Sequence, residues 1–243
     1  MKPRMKPGTL LRGSLVLAGF ATVAYAACVV NNWLRYGKTE AGNDPENNDA
    51  LLDRFMPVYD VAERHRVRVA APAGVTLASA CNSDFQQSPV VRAIFRGREL
   101  LLGSRRHSQR KPQGLLHELK ALGWGVLAEV TDREIVMGTV TQPWRADVEF
   151  HPLSPGEFAA FHTPGYVKIA FTLRADPLGS AESIFRTETR AITTDPSARI
   201  RFRRYWSFLL PGILLIRRVL LKQLKNAAGK QQVSGLQTNL RSA

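Results

Sequence analysis

The sequence predicts an α+β protein built on an antiparallel sheet with helices covering one side. Three observations predict it. Val61, Glu63, His65, Val67 and Val69 alternate with Ala62, Arg64, Arg66 and Arg68, and a period of two makes a strand with one basic, wet face. Residues 124–193 hold a series of strand-like segments divided by short turns, which is the spacing of hairpins. A long amphipathic segment then closes the chain from Pro196. One strand, two or three helices, about five more strands and a terminal helix form a sheet packed against helices.

Charge divides the chain. Lys and Arg outnumber acids six to one over residues 1–40 and ten to none over 196–243, while 41–195 carry 18 against 19. The net charge of +14 therefore sits at the two ends of a neutral domain. That distribution argues against a nucleic-acid partner, which would be met by a basic patch on the domain itself. Two cysteines, Cys28 and Cys81, give no disulfide framework. The five histidines show no metal-ligand spacing, and neither a phosphate-binding loop nor a dinucleotide fingerprint is present. No metal or cofactor is expected.

The elements follow in order. Lys2, Arg4, Lys6 and Arg12 form a basic start, and Gly13–Val30 is a run of 18 uncharged residues. As a helix it is about 27 Å long, the low end of a bilayer span. Trp33 and Tyr36 interleave with Arg35 and Lys38 like an interfacial belt. An uncleaved transmembrane anchor over 13–36 fits best, with the N-terminus cytoplasmic and the domain outside. A signal peptide cleaved near Ala24-Tyr25-Ala26, leaving a secreted domain, is the alternative. A lipoprotein site at Cys28 is disfavoured by Tyr25, and a buried soluble helix by the absence of a polar face. A polar linker over 37–50 leads to a domain over 51–228, and 229–243 reads as a disordered basic tail.

Within the domain, Val61–Val69 is the first strand and Val75–Ala80 a short helix. Ser88 caps a helix over Ser88–Gly103 with Pro89 at its first position, and Ser104–Gln113 is a basic loop. Gly123 ends a helix over Gly114–Leu122. Trp124–Val130 and Glu134–Gln142 form a hairpin about Thr131-Asp132-Arg133, and Ala146–Phe150 is a further strand. Ser154–Gly165 is a loop with one helical turn. In the next strand Val167, Ile169, Phe171 and Leu173 point in; Lys168, Ala170, Thr172 and Arg174 point out. Ala181–Thr194 is the last strand, and Asp195 caps the closing helix.

That helix runs to about Lys225. Its uncharged centre, Tyr205–Ile216, has twelve residues, about 18 Å, too short for a span. Phe202, Trp206, Leu209, Ile213, Ile216, Leu220 and Leu224 make one apolar stripe, with Arg201, Arg204, Arg218, Lys222 and Lys225 toward the other face. Pro211-Gly212 is expected to kink the helix or break it in two.

The Val61–Val69 strand entering a helix through Ala71-Pro72-Ala73-Gly74-Val75, the strands of 124–193 and the terminal helix resemble the START-like superfamily (SRPBCC). This helix-grip group includes polyketide cyclases/dehydrases and lipid-transfer domains. The resemblance is one of element order and spans about Leu51–Asn226. It implies a curved sheet of about six strands wrapped on the C-terminal helix, with an apolar cavity between them. The chain departs from the pattern in its membrane-like N-terminus and its Ser154–Gly165 loop.

On that expectation Trp124, Met137, Phe150, Ile169 and Phe171 line the cavity from the sheet, joined by Phe185, Thr187, Trp206 and Leu209. Arg186 and Glu188 are the polar candidates, orienting a ligand head or serving acid–base chemistry. They reach the cavity only if Phe185 does not, since neighbours on a strand face opposite ways. Trp144 and Arg145 are rim candidates. The expected role is binding of a hydrophobic small molecule or lipid by a membrane-tethered domain, the basic face of the closing helix lying near lipid headgroups. A cyclase/dehydrase-like enzyme using the same cavity is the alternative. Convergent ionisable groups in the cavity would favour the enzyme.

Overall fold

The computed structural model describes residues 22–37, 49–83, 96 and 114–241, with side chains through Lys225. The expected helix at Ser88–Gly103, the loop at Ser104–Gln113, nearly all of the linker and residues 13–21 of the expected anchor lie outside these. Helix α1 covers residues 22–35 and α2 covers Ala50–Asp53. Strand β1 (Val61–Val69) leads into α3 (Ala73–Cys81), and α4 (Leu115–Leu122) into the hairpin β2 (Gly125–Val130) and β3 (Glu134–Thr141). Then come β4 (Phe150–His151), α5 (Pro155–Ala160), β5 (Val167–Pro177), β6 (Ser183–Thr193) and α6 (Pro196–Arg241).

The six strands form one antiparallel sheet in the order β1-β6-β5-β3-β2, with β4 on β3. The strand expected at Ala146–Phe150 is reduced to the two-residue β4. Asp132, the turn residue of the β2–β3 hairpin, takes a left-handed φ of 59°, a conformation that Asp tolerates better than most residues. Gly123, which ends α4, has φ 99°, and a Cβ there would strike the Phe150 carbonyl. Only glycine closes that corner.

One face of the sheet carries α6, which contacts β1, β6 and α3. Two apolar clusters lie on this inner face. The first gathers Val69, Met137, Phe171, Leu173 and Phe185 with Leu77 of α3 and Leu224 of α6. The second gathers Val61, Val167 and Ala191 with Phe202, Trp206 and Leu210.

The other face is covered too, so the expectation of helices on one side only is corrected. Leu52 and Met56 from α2 and the chain after it pack with Phe158 of α5 against Val136, Val140 and Ala170. This is why every residue of β3 is buried, where a half-covered strand would alternate. Gly138 makes room for the cover, since a Cβ there would meet Leu127 and Phe158. Helix α5, which the sequence suggests only as a turn, is fixed by a capping box between Ser154 and Glu157.

Helix α6 starts as the sequence predicts. The Asp195 carboxylate accepts from the Ser197 and Ala198 N–H groups at 2.8 and 3.1 Å, and these bonds hold its pKa well below the usual range. The helix is not split at Pro211 and continues past the expected end at Lys225 to Arg241. Pro211 has no N–H, so the Ser207 carbonyl loses its partner one turn on. The Asn32 side chain of α1 donates to that carbonyl at 3.4 Å. Tyr25 donates to the next carbonyl, that of Phe208, and Arg203 donates back to the Trp33 carbonyl at 2.6 Å while stacking on the Trp33 ring at 4.1 Å. Tyr36 is buried beside Phe202 and Asp60. The described part of the expected anchor is thus a helix fastened along α6. Among the described residues no helix is long and apolar enough to cross a membrane.

Candidate functional site

Between the two inner apolar clusters the sheet turns polar. In β1 the positions that continue the inward phase of Val61, Val67 and Val69 are Glu63 and His65. The strand register sets them opposite Thr189 and Thr187 of β6. Facing them is Arg217, on the α6 stripe that carries Leu210, Ile213 and Leu224 inward. Arg217 donates through Nη2 to Thr189 Oγ1 and through Nη1 to the Glu63 carbonyl at 3.4 Å. Two acid–base groups, two hydroxyls and a guanidinium therefore meet where sheet and helix approach each other.

Their charges are poorly compensated. Glu63 Oε2 stands 4.0 Å from His65 Nε2, beyond hydrogen-bond reach, and the buried Nε2 has no hydrogen-bond partner. Burial raises the Glu63 pKa, an effect that Arg217 and Arg64 oppose. Burial lowers that of His65, and the charges of Arg217 and Arg218 lower it further. Burial also lowers that of Arg217, with Glu63 acting in the other direction. A neutral imidazole beside a carboxyl group that protonates more readily than usual is suited to passing or holding a proton. The guanidinium is suited to an anion or a polarised carbonyl.

The other sequence candidates distribute around this belt. Met137, Phe171 and Phe185 belong to the first apolar cluster, with Trp124 packed on it. The Trp124 ring lies 5.1 Å from Phe171 and 5.9 Å from Phe150. Thr187 is in the belt. Trp206 belongs to the second cluster, with Ile169 and Trp144 against it. Leu209 is half-buried on the flank of α6 and joins neither cluster, and Arg145 is exposed.

Arg186 and Glu188 are on the outer face. Phe185 points in, so strand parity turns both away. Glu188 there accepts from Arg190 Nε at 2.7 Å and pairs with Arg64 at 2.8 Å. Arg190 also reaches Asp53 and the Met56 carbonyl and lies over the Tyr59 ring. Arg186 pairs with Asp176 at 2.8 Å. The Arg190 bonds tie the outer cover to the sheet. An open cleft of about 520 Å³ lies on the same face, lined by Leu51, Arg54, Arg133, Glu134 and Arg174 among others. In it Glu134 accepts from Thr172 Oγ1 at 2.9 Å, and its pKa is pushed up to about 7 by burial and by Asp49.

Sequence reading passed over Glu63, His65 and Arg217. The signal was present: two titratable residues in the inward phase of a strand, and an arginine in the inward phase of a helix.

The architecture, a curved six-stranded antiparallel sheet with a long C-terminal helix on it, defines the chain as a helix-grip protein. No family model matches the chain, and no curated protein matches it. Among solved structures it is similar to the di-domain aromatase/cyclase BexL of the BE-7585A biosynthetic pathway. That match has 15% identity and a TM-score of 0.25, over 69% of this chain and 46% of that one, so the chain spans about half of the di-domain protein. It is similar to norcoclaurine synthase from Thalictrum flavum, in complex with dopamine and hydroxybenzaldehyde, at 12% identity and a TM-score of 0.26, over 73% of this chain and 92% of that one. It is also similar to the Zhui aromatase/cyclase from Streptomyces sp. R1128, at 12% identity and a TM-score of 0.21, over 68% and 93%.

Proposed function

We propose that the protein binds a hydrophobic small molecule or lipid between the sheet and α6, with the ligand's polar group at Glu63, His65 and Arg217. The carrying observation is the position of these three groups between two apolar clusters. An apolar site with few convergent polar groups is the usual build of a small-molecule site. A ligand with an apolar body and one carboxyl, phenol or carbonyl group matches both parts. The domain works at a membrane, to which the segment 13–30 directs it, and it faces the non-cytoplasmic side.

The same convergence of Glu63, His65 and Arg217 meets the condition set above for an enzyme and favours a second reading, catalysis of the cyclase/dehydrase type. His65 Nε2 is buried, has no hydrogen-bond partner and stands near Glu63, the arrangement of an acid–base pair awaiting a substrate atom.

Native mass spectrometry of the full chain, purified from its host, tests the binding reading. Co-purification of one amphipathic molecule, lost in an Arg217→Met variant that still folds, is the expected result. Repeated absence of any ligand from the wild type would sink it. A ligand recovered chemically unchanged after long incubation with the wild type speaks for binding. Conversion that stops in His65→Gln speaks for the enzyme.

A further inference from the structure

Helices α1 and α6 lie side by side and run in opposite directions, since Tyr25, Asn32 and Tyr36 meet Phe208, Ser207 and Phe202 in turn. At 100° per residue, Val23, Val30 and Leu34 fall on the side of α1 opposite that contact. They are 69%, 57% and 57% exposed. On α6 the stripe opposite the sheet reads Arg201, Arg204, Phe208, Leu215, Arg218 and Lys222, all exposed. Its apolar residues are central and its basic residues lie at both ends. Tyr25 and Phe208, themselves part-exposed, meet edge to face at 5.6 Å where the two helices touch. Neither residues 22–37 nor 196–243 contain an acid.

We infer that this two-helix surface is a monotopic membrane-binding face that lies along one anionic leaflet. Val23, Val30, Leu34, Phe208 and Leu215 enter the acyl boundary, and Arg201, Arg204, Arg218 and Lys222 sit among the lipid phosphates. The inference rests on the membrane reading above and changes its form. Residues 22–35 are fastened along α6, and α6 along the sheet, so this part of the chain lies on the bilayer surface rather than across it. Charge selects the occupant. Two copies of this face would repel, with no acid to pair either set of arginines, and a nucleic acid would leave the apolar centre against water.

The test is flotation of the full chain, freed of detergent, with vesicles of phosphatidylcholine alone or mixed with phosphatidylglycerol. The wild type is expected to favour the mixed vesicles and to be released by high-pH carbonate. Phe208→Ser combined with Leu215→Ser changes two exposed positions. It should weaken binding about tenfold or more while the circular-dichroism spectrum stays that of the folded protein. Arg201→Gln with Arg204→Gln should weaken binding to the mixed vesicles by about fivefold per charge, flatten its salt dependence and leave binding to neutral vesicles as it was. Carbonate-resistant binding that ignores both double variants would overturn this surface while leaving the membrane reading intact, because 13–30 would then span alone. A wild type that floats with neither vesicle would overturn both. A dimer dispersed by the Phe208 and Leu215 changes would give the face to a second copy and overturn the proposal.

Discussion

The two faces of the sheet both bury charge, and they treat it differently. On the outer face Arg190 is engaged by Glu188, Asp53, the Met56 carbonyl and the Tyr59 ring, and Glu188 is shared with Arg64. On the inner face Arg217 has a hydroxyl and a carbonyl, and Glu63 and His65 stand just out of reach of each other. A buried network whose members are paired fixes a structure, and one left part-paired has bonding capacity for something else. The denser polar strand, Ile184–Arg190, therefore does the structural work, and the plainer Glu63–His65 belongs to the candidate site.

Substitution should separate the two faces. The largest effect is expected from Arg190→Met, which takes one of its two arginines from buried Glu188 and leaves Asp53 and the Met56 carbonyl without theirs. A loss of about 3–5 kcal/mol follows from breaking such a buried pair, read as a fall in the denaturant midpoint. Next comes Glu134→Gln. The glutamate's pKa rises from its ordinary value to about 7 on folding. The folded state thus holds the proton more tightly, and the stability this gives is full below about pH 4.5 and lost as pH rises through 7. The variant should be more stable than wild type at pH 8 by about 2 kcal/mol, with the gap closing toward pH 4 in a series of thermal melts. Equal curves at all pH values would show that the carboxyl is not desolvated. Arg217→Met should change stability by less than about 1 kcal/mol in either direction, because Arg217 is hydrogen-bonded only to a hydroxyl and a carbonyl and Glu63 acts on it without a direct ion pair, so an apolar chain in its place offsets most of what is lost. If it destabilised the fold as much as Arg190→Met, the contrast between the faces would fail. The smallest effect belongs to Arg68→Ala. Its pairing with Glu182 is exposed, and its loss should cost less than about 0.5 kcal/mol.

Much of this architecture was legible. Alternation in Val61–Val69 and Val167–Leu173 gave the strand faces, and Asp195-Pro196 gave the start of α6. The second cover was not. Four-residue α2 is too short to show a period, and the outward residues Lys168, Ala170 and Thr172 look solvated although they are buried. The site was half legible. Its apolar walls followed from parity, but its polar centre was overlooked because Glu63 and His65 sit in a strand whose arginines attract notice. Parity also fixed the condition on Glu188, and Phe185 decided it.

Pro211 carries a consequence for the order of assembly. The carbonyl it leaves open on α6 is met by Asn32, 175 positions earlier in the chain. During synthesis α1 is therefore made long before the groove that receives it, and its apolar stripe must wait while the whole sheet is laid down. Helix α6, when it comes, has a gap in its own hydrogen bonding until α1 arrives. The last helix is thus completed by one of the earliest, which makes closure of the domain a late and cooperative event.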